Sequence, residues 1–212
     1  MKKIINDPSA IVEEMLAGLV ASYPQLIHQV EDSRVVAKNA THKQVGLVSG
    51  GGSGHEPAHA GFVGDGMWSA AVLGDVFTSP TPDQILTGIK EADQGQGVLL
   101  IVKNYTGDIL NFEMAKDMAE MEDITAEIVV VDDDIAVENS TYTAGKRGVA
   151  GTILVHKILG AAARQGRSLT ELKELGEALV PTIKTIGVAL KAATVPEVGK
   201  PGFELADDEI EY

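Results

Sequence analysis

Apolar residues recur along this 212-residue chain in two rhythms, at helical spacing and in short uninterrupted runs. Asp7-Pro8 is an N-cap and first-turn signature, and Ile11, Met15, Leu16, Leu19 and Val20 then fall on one face of a helix. After a polar stretch, Val45-Gly46-Leu47-Val48-Ser49 is a short apolar run ending in glycines, the pattern of a buried strand feeding a tight loop. Three similar units follow. Ala70-Ala71-Val72-Leu73 precedes a helix opened by Thr81-Pro82-Asp83, and Val98-Leu99-Leu100-Ile101-Val102 precedes one beginning near Asp108. Ile128-Val129-Val130-Val131 runs into Asp132-Asp133-Asp134 and a long polar loop. Strand cores that alternate with helices predict a three-layer α/β/α domain with a mainly parallel sheet, because each crossover must run back over the sheet. Helices are expected again from about Gly148 to Arg164, and Ser168-Leu169-Thr170-Glu171 is a capping box opening another. Beyond Pro181 the rhythm changes: Thr185 to Leu190 reads as a strand, Pro196 to Gly202 as a turn-rich loop, and Phe203 to Asp207 alternates. Residues 1–183 are therefore assigned to one α/β domain and 184–212 to the beginning of a second α/β domain.

Composition narrows the picture. With 44% hydrophobic and 23% charged residues the chain has apolar material for one full core. A formal charge of −14 argues against non-specific binding to nucleic acid or anionic membranes, both of which require a basic face. No window is long and apolar enough for a membrane span, and the N-terminus lacks the apolar stretch of a signal peptide. The absence of cysteine excludes disulfides, thiolate catalysis, Fe–S clusters and cysteine-ligated zinc, and fits a cytoplasmic protein.

Ligands of open α/β sheets bind outside the carboxyl ends of the strands, which singles out two segments. In Ser49-Gly50-Gly51-Gly52-Ser53-Gly54-His55-Glu56-Pro57 the glycines let the backbone approach a ligand, and His55 and Glu56 add a titratable pair. The segment lacks the Gly-Lys-Ser/Thr of a P-loop, has Pro57 where a dinucleotide fingerprint needs its third glycine, and has His55 where a hydrolase elbow around Ser53 needs its last. In Lys103-Asn104-Tyr105-Thr106-Gly107-Asp108 polar groups crowd the end of a strand. Asp108 there either caps the next helix or accepts a substrate hydroxyl as general base, with Lys103 or Asn104 holding another oxygen. The weaker candidates are Asp132-Asp133-Asp134 as a Mg²⁺ cluster, against a solvated loop, and His55 with His59 as half a zinc site, which Pro57 disfavours. His28, His42 and His156 are expected to be structural.

The motifs Gly-Gly-Gly-Ser-Gly-His-Glu-Pro at 50–57, Phe-Thr-Ser-Pro-Thr-Pro-Asp at 77–83, Lys-Asn-Tyr-Thr-Gly-Asp at 103–108 and Tyr-Thr-Ala-Gly-Lys-Arg-Gly at 142–148 occur in order, followed by Thr-Val-Pro and Glu-Leu-Ala-Asp near 195 and 205. Over essentially its whole length the chain resembles the substrate-binding subunit of dihydroxyacetone kinases. The resemblance implies that Gly52, Ser53 and Gly54, through their backbone, and His55, Lys103 and Asp108 bind the triose, with His55 and Asp108 sharing the acid/base work. It implies no cofactor or metal in this chain: ADP or ATP and Mg²⁺ would sit on a separate helical subunit or domain, recharged from phosphoenolpyruvate in some systems, and the triose-binding subunit would be a homodimer. It further implies a covalent hemiaminal between the substrate carbonyl and a histidine in a second domain. The last histidine here is His156, so the expectation is a fragment, inactive alone and weak in binding triose. The competing expectation is a non-catalytic dihydroxyacetone sensor that regulates a transcription factor.

Overall fold

The computed structural model describes residues 4–40, 42–136 and 145–211. Asp7 accepts the backbone N–H of Ser9 at 2.9 Å and starts a 3-10 turn that leads into α1 (Ile11–Ser22). The polar stretch that follows holds two short strands, β1 (Ile27–Gln29) and β2 (Val35–Lys38). The rest of the chain supplies β3 (Gly46–Ser53), β4 (Ala70–Val76), α2 (Pro82–Ala92), β5 (Val98–Lys103), α3 (Thr106–Glu120), β6 (Ala126–Val131), α4 (Thr152–Arg164) and α5 (Leu169–Leu179). Pro82 occupies the first turn of α2, where its missing N–H is harmless. The capping box of Ser168 and Glu171 opens α5 as the sequence predicts.

The six strands lie in the order β1-β2-β4-β3-β5-β6. The β4-β3-β5-β6 block is parallel, while β1 and β2 join its β4 edge antiparallel. Alternation along β5 shows how the layers form. Leu99 and Ile101 pack with Leu16 of α1, Leu159 of α4 and Leu172 of α5, whereas Val98, Leu100 and Val102 pack with Ile89 of α2 and Phe112 of α3. Both faces are thus covered, so a parallel strand reads as a continuous apolar run. Truncating a fully buried residue such as Leu100 to alanine is expected to cost about 2–5 kcal/mol.

Four expectations are corrected. The glycines at 50–52 are not a loop but strand: β3 runs through Ser53 and pairs Gly50 with Val72 and Gly52 with Gly74. Residues 185–190 form no strand; Thr185 and Ala189 make only isolated bridges, to Asp134 and Glu211. Ile186, Val188 and Leu190 remain exposed, because an apolar run becomes a strand only where a neighbouring strand pairs its backbone. The Phe203 to Asp207 segment likewise makes no ladder. Finally, α4 begins at Thr152 rather than near Gly148.

Candidate active site

Strands β3 and β5 are neighbours at the middle of the sheet, with Ser49 opposite Ile101. Their carboxyl ends therefore bring the glycine segment and the 103–108 segment together, as the strand-end rule requires. Between them opens a cleft of about 680 Å³. Gly52, His55 and Phe77 line one side, and Lys103, Tyr105 and Asp108 line the other. Gly52 is required by close approach: a β-carbon there would lie 2.6 Å from the backbone nitrogen of Thr78. The absence of a side chain lets the 77–79 turn fold over β3 and deliver Ser79 to the cleft.

Of the predicted residues, Gly52, His55, Lys103 and Asp108 meet in this cleft. Ser53 and Gly54 do not line it; they face a neighbouring groove that Met15 and Thr194 share. The Ser53 hydroxyl donates to the Gly74 carbonyl at 2.8 Å, and the Ser49 hydroxyl to that of Ile101 at 2.6 Å, so both tie β3 to the adjacent strands. Asn104, weighed above as an alternative to Lys103, instead donates its side-chain amide to the Lys146 carbonyl at 2.7 Å.

Lys103 is the half-buried cation of the site. Its Nζ donates to the Gly50 carbonyl at 2.6 Å, and burial lowers its pKa to about 8 although the Asp108 carboxylate opposes the shift. Asp108 is 4% exposed and lies in the first turn of α3, where the helix dipole favours a negative charge. It does not act as the N-cap; Tyr105 holds that position without a side-chain hydrogen bond. Among the described residues a single hydroxyl, Ser79 Oγ, donates to the Asp108 carboxylate. Oxygen lone pairs thus remain for a ligand. His55 is exposed, but its ring packs on Phe77 with centroids 5.1 Å apart. Desolvation and then Lys103 lower its pKa, against Glu56 and Asp108, so the imidazole is predominantly neutral near pH 7.

The acidic run after β6 differs. Asp133, fully buried, accepts the backbone N–H groups of Val149 and Gly151, each at 2.8 Å, and the Thr185 hydroxyl at 2.6 Å. Asp134 accepts the N–H of Ala136 at 2.9 Å and Arg147 Nε at 2.8 Å. These carboxylates are structural pins, neither a solvated loop nor free metal ligands. Among the described residues no group of three or more His, Asp or Glu is placed to hold a metal ion. His59 is buried beside Trp68 and does not share the cleft with His55. His28 bonds Asn39 and Glu91, His42 pairs with Asp65, and His156 packs at a tilt against Trp68. Of the 142–148 motif, residues 142–144 lie outside the described residues; the remainder contributes Arg147 to Asp134. No helix among the described residues is long and apolar enough to cross a membrane.

Ser79 and Phe77 are the cleft residues that site reasoning from the sequence missed. Two signals pointed to them: their place at the end of β4, the strand beside β3, and their membership of the 77–83 motif.

Comparison with known proteins places the chain in a family. Over its full 212 residues the chain is 68% identical to the dihydroxyacetone-binding subunit of the PTS-dependent dihydroxyacetone kinase 1 of Listeria innocua, of which it spans 64%. Among solved structures, the dihydroxyacetone kinase of C. freundii in complex with AMP-PNP and Mg²⁺ superposes with a TM-score of 0.86 at 40% identity, over 92% of this chain and 37% of that one. A dihydroxyacetone kinase operon co-activator gives the same TM-score, 0.86, at 43% identity over 93% of this chain and 61% of that one. The Dak1 domain pattern matches residues 17–212, and with that match and a 68% identical relative the chain belongs to the Dak1 family.

Proposed function

We propose that this chain is the triose-binding part of a dihydroxyacetone kinase and presents a hydroxyl of dihydroxyacetone for phosphorylation by nucleotide held on a partner subunit. The observation that carries the reading is the cleft at the β3 and β5 ends, where a buried carboxylate with unused lone pairs, a half-buried ammonium and an imidazole converge. Dihydroxyacetone is small and uncharged and carries two hydroxyls and a carbonyl, so it needs this mixture of donors and acceptors. Asp108 accepts the hydrogen bond of the reacting hydroxyl and takes its proton as that oxygen bonds to the transferred phosphorus. Lys103 donates to a second triose oxygen, and His55 shares the proton transfer from the Phe77 side. Phosphoryl transfer depends mainly on positioning and charge stabilisation, so the part that orients the acceptor needs no nucleotide site of its own. Nucleotide and Mg²⁺ are assigned to the partner. The 68% identity to a PTS-dependent relative favours a nucleotide recharged through that system.

A second reading, a dihydroxyacetone-responsive regulator, has the equal structural match to the operon co-activator in its favour. Identity separates the two, at 68% to the kinase subunit against 43% to the co-activator from Lactococcus lactis. The test is turnover. A complete kinase assembled with this chain as its triose-binding part, supplied with a nucleotide-carrying subunit and a phosphoryl donor, is expected to form dihydroxyacetone phosphate. Dihydroxyacetone binding without any turnover in that assembly would transfer the assignment to the regulator.

A further inference from the structure

The cleft has a second layer. Gly51 lies on β3 with φ +156°, and a β-carbon there would sit 2.7 Å from Nε2 of His59 and 3.1 Å from Nζ of Lys103. Two nitrogens from different segments therefore converge on the space that a side chain at Gly51 would take. Lys103 lines the cleft; His59, 2% exposed, stands behind it with its ring 5.6 Å from that of Trp68. Among the described residues neither ring nitrogen of His59 has a hydrogen-bond partner, and the same holds for Trp68 Nε1 and both ring nitrogens of His156, whose ring lies tilted against Trp68 with centroids 4.3 Å apart. Buried polar atoms of this kind are almost always bonded, and an ordered water that makes about three hydrogen bonds is the usual partner when protein groups are lacking.

The ammonium of Lys103 has three N–H donors. One is given to the Gly50 carbonyl, which leaves two, and Lys103 lines the cleft together with Asp108. We propose that His59 is a positioning residue for Lys103: its uncharged ring, fixed against Trp68, accepts a hydrogen bond from the ammonium through one ordered water at Gly51 and so holds Nζ between the Gly50 carbonyl and the cleft. The surrounding charges agree. Burial first, and then Lys103, His55 and His156, hold the pKa of His59 well below the usual histidine value, leaving one ring nitrogen as an acceptor near pH 7. Asp108 of α3 favours the ammonium form of Lys103, whereas His55 beside the cleft and His156 of α4 oppose it only when protonated. Lys157, also on α4, helps to keep His156 neutral.

This inference rests on the proposed cleft for the role of Lys103, but its readout is independent of triose. The rate at which an acetylating reagent modifies Lys103, followed by peptide mass spectrometry across pH, reports when the amine loses its proton. In the wild type the midpoint is expected at about 8. His59→Phe, which keeps the ring against Trp68 and removes the acceptor, should lower the midpoint by roughly one pH unit, a tenfold change in proton affinity. His59→Gln, which retains an acceptor, should recover most of that shift. An unmoved midpoint in folded His59→Phe protein would overturn the proposal. If that variant does not fold, ¹⁵N NMR of the wild-type histidine rings decides: a proton on Nδ1 of His59 with Nε2 as acceptor is expected, and a proton on Nε2 would overturn it. A shifted midpoint in a protein that binds no triose would sink the proposed function alone.

Discussion

Asp108 and Asp133 both follow the carboxyl end of a parallel strand, and neither is more than 4% exposed, yet they do opposite work. Asp133 receives three hydrogen bonds from Val149, Gly151 and Thr185, and in doing so ties the start of α4 and the 185 segment to the end of β6. Asp108 receives one, from Ser79, and faces a cleft beside Lys103. Burial makes a carboxylate consequential; the number of donors already bound to it decides whether the consequence is stability or chemistry.

Exchanging each carboxylate for an amide should separate these roles most clearly. In an assembled kinase, Asp108→Asn is expected to lower turnover by about 10²–10⁴-fold, with the melting temperature nearly kept. Asp133→Asn should do the reverse, losing roughly 2–4 kcal/mol in denaturant unfolding while turnover per folded molecule stays close to wild type. If both variants lose stability alike, the distinction fails. His55→Ala, on the opposite wall of the cleft, is expected to lower turnover by at least about tenfold, measured in the same assay. The pH dependence sharpens the contrast further. Lys103 is a strong, charge-assisted donor only while protonated, so triose affinity should decline as pH rises through about 8, where an ordinary lysine would carry it past 10. Calorimetric titration between pH 6.5 and 9.5 measures this, and Lys103→Arg should flatten the profile because guanidinium stays charged. The smallest expected effect belongs to Ser79→Ala. Removing the hydroxyl that orients Asp108 should lower turnover roughly fivefold, the weight of one hydrogen bond of about 1 kcal/mol.

The two carboxylates also mark how far the sequence could be read. Four parallel strands were legible because each contains an apolar run: β5 is buried on both faces, and β6, although it lies at the sheet edge with Val130 exposed, is still apolar from Ile128 to Val131. The antiparallel pair β1 and β2 was not, since three and four residues between polar turns give too short a pattern. Gly50 to Gly52 were read as loop because glycine is a poor strand former, and here they continue a strand under a tightly packed turn. Lys103 and Asp108, which line the cleft, were legible as candidates from their place at a strand end. Ser79 was not, being 29 residues away from Asp108 and joined to it only because β4 lies next to β3. Nothing in Asp132-Asp133-Asp134 could reveal which oxygens were already taken, since the Asp133 donors Val149, Gly151 and Thr185 come from 16 to 52 residues further along.

The central claim is that dihydroxyacetone occupies the cleft at the ends of β3 and β5. An NMR titration of the ¹⁵N-labelled chain with dihydroxyacetone tests it most directly. The account predicts saturable shifts centred on the amides of Gly52, His55, Lys103 and Asp108 that are abolished in Asp108→Asn and unchanged in Asp133→Asn. Shifts centred elsewhere, or a response that survives Asp108→Asn, would contradict it.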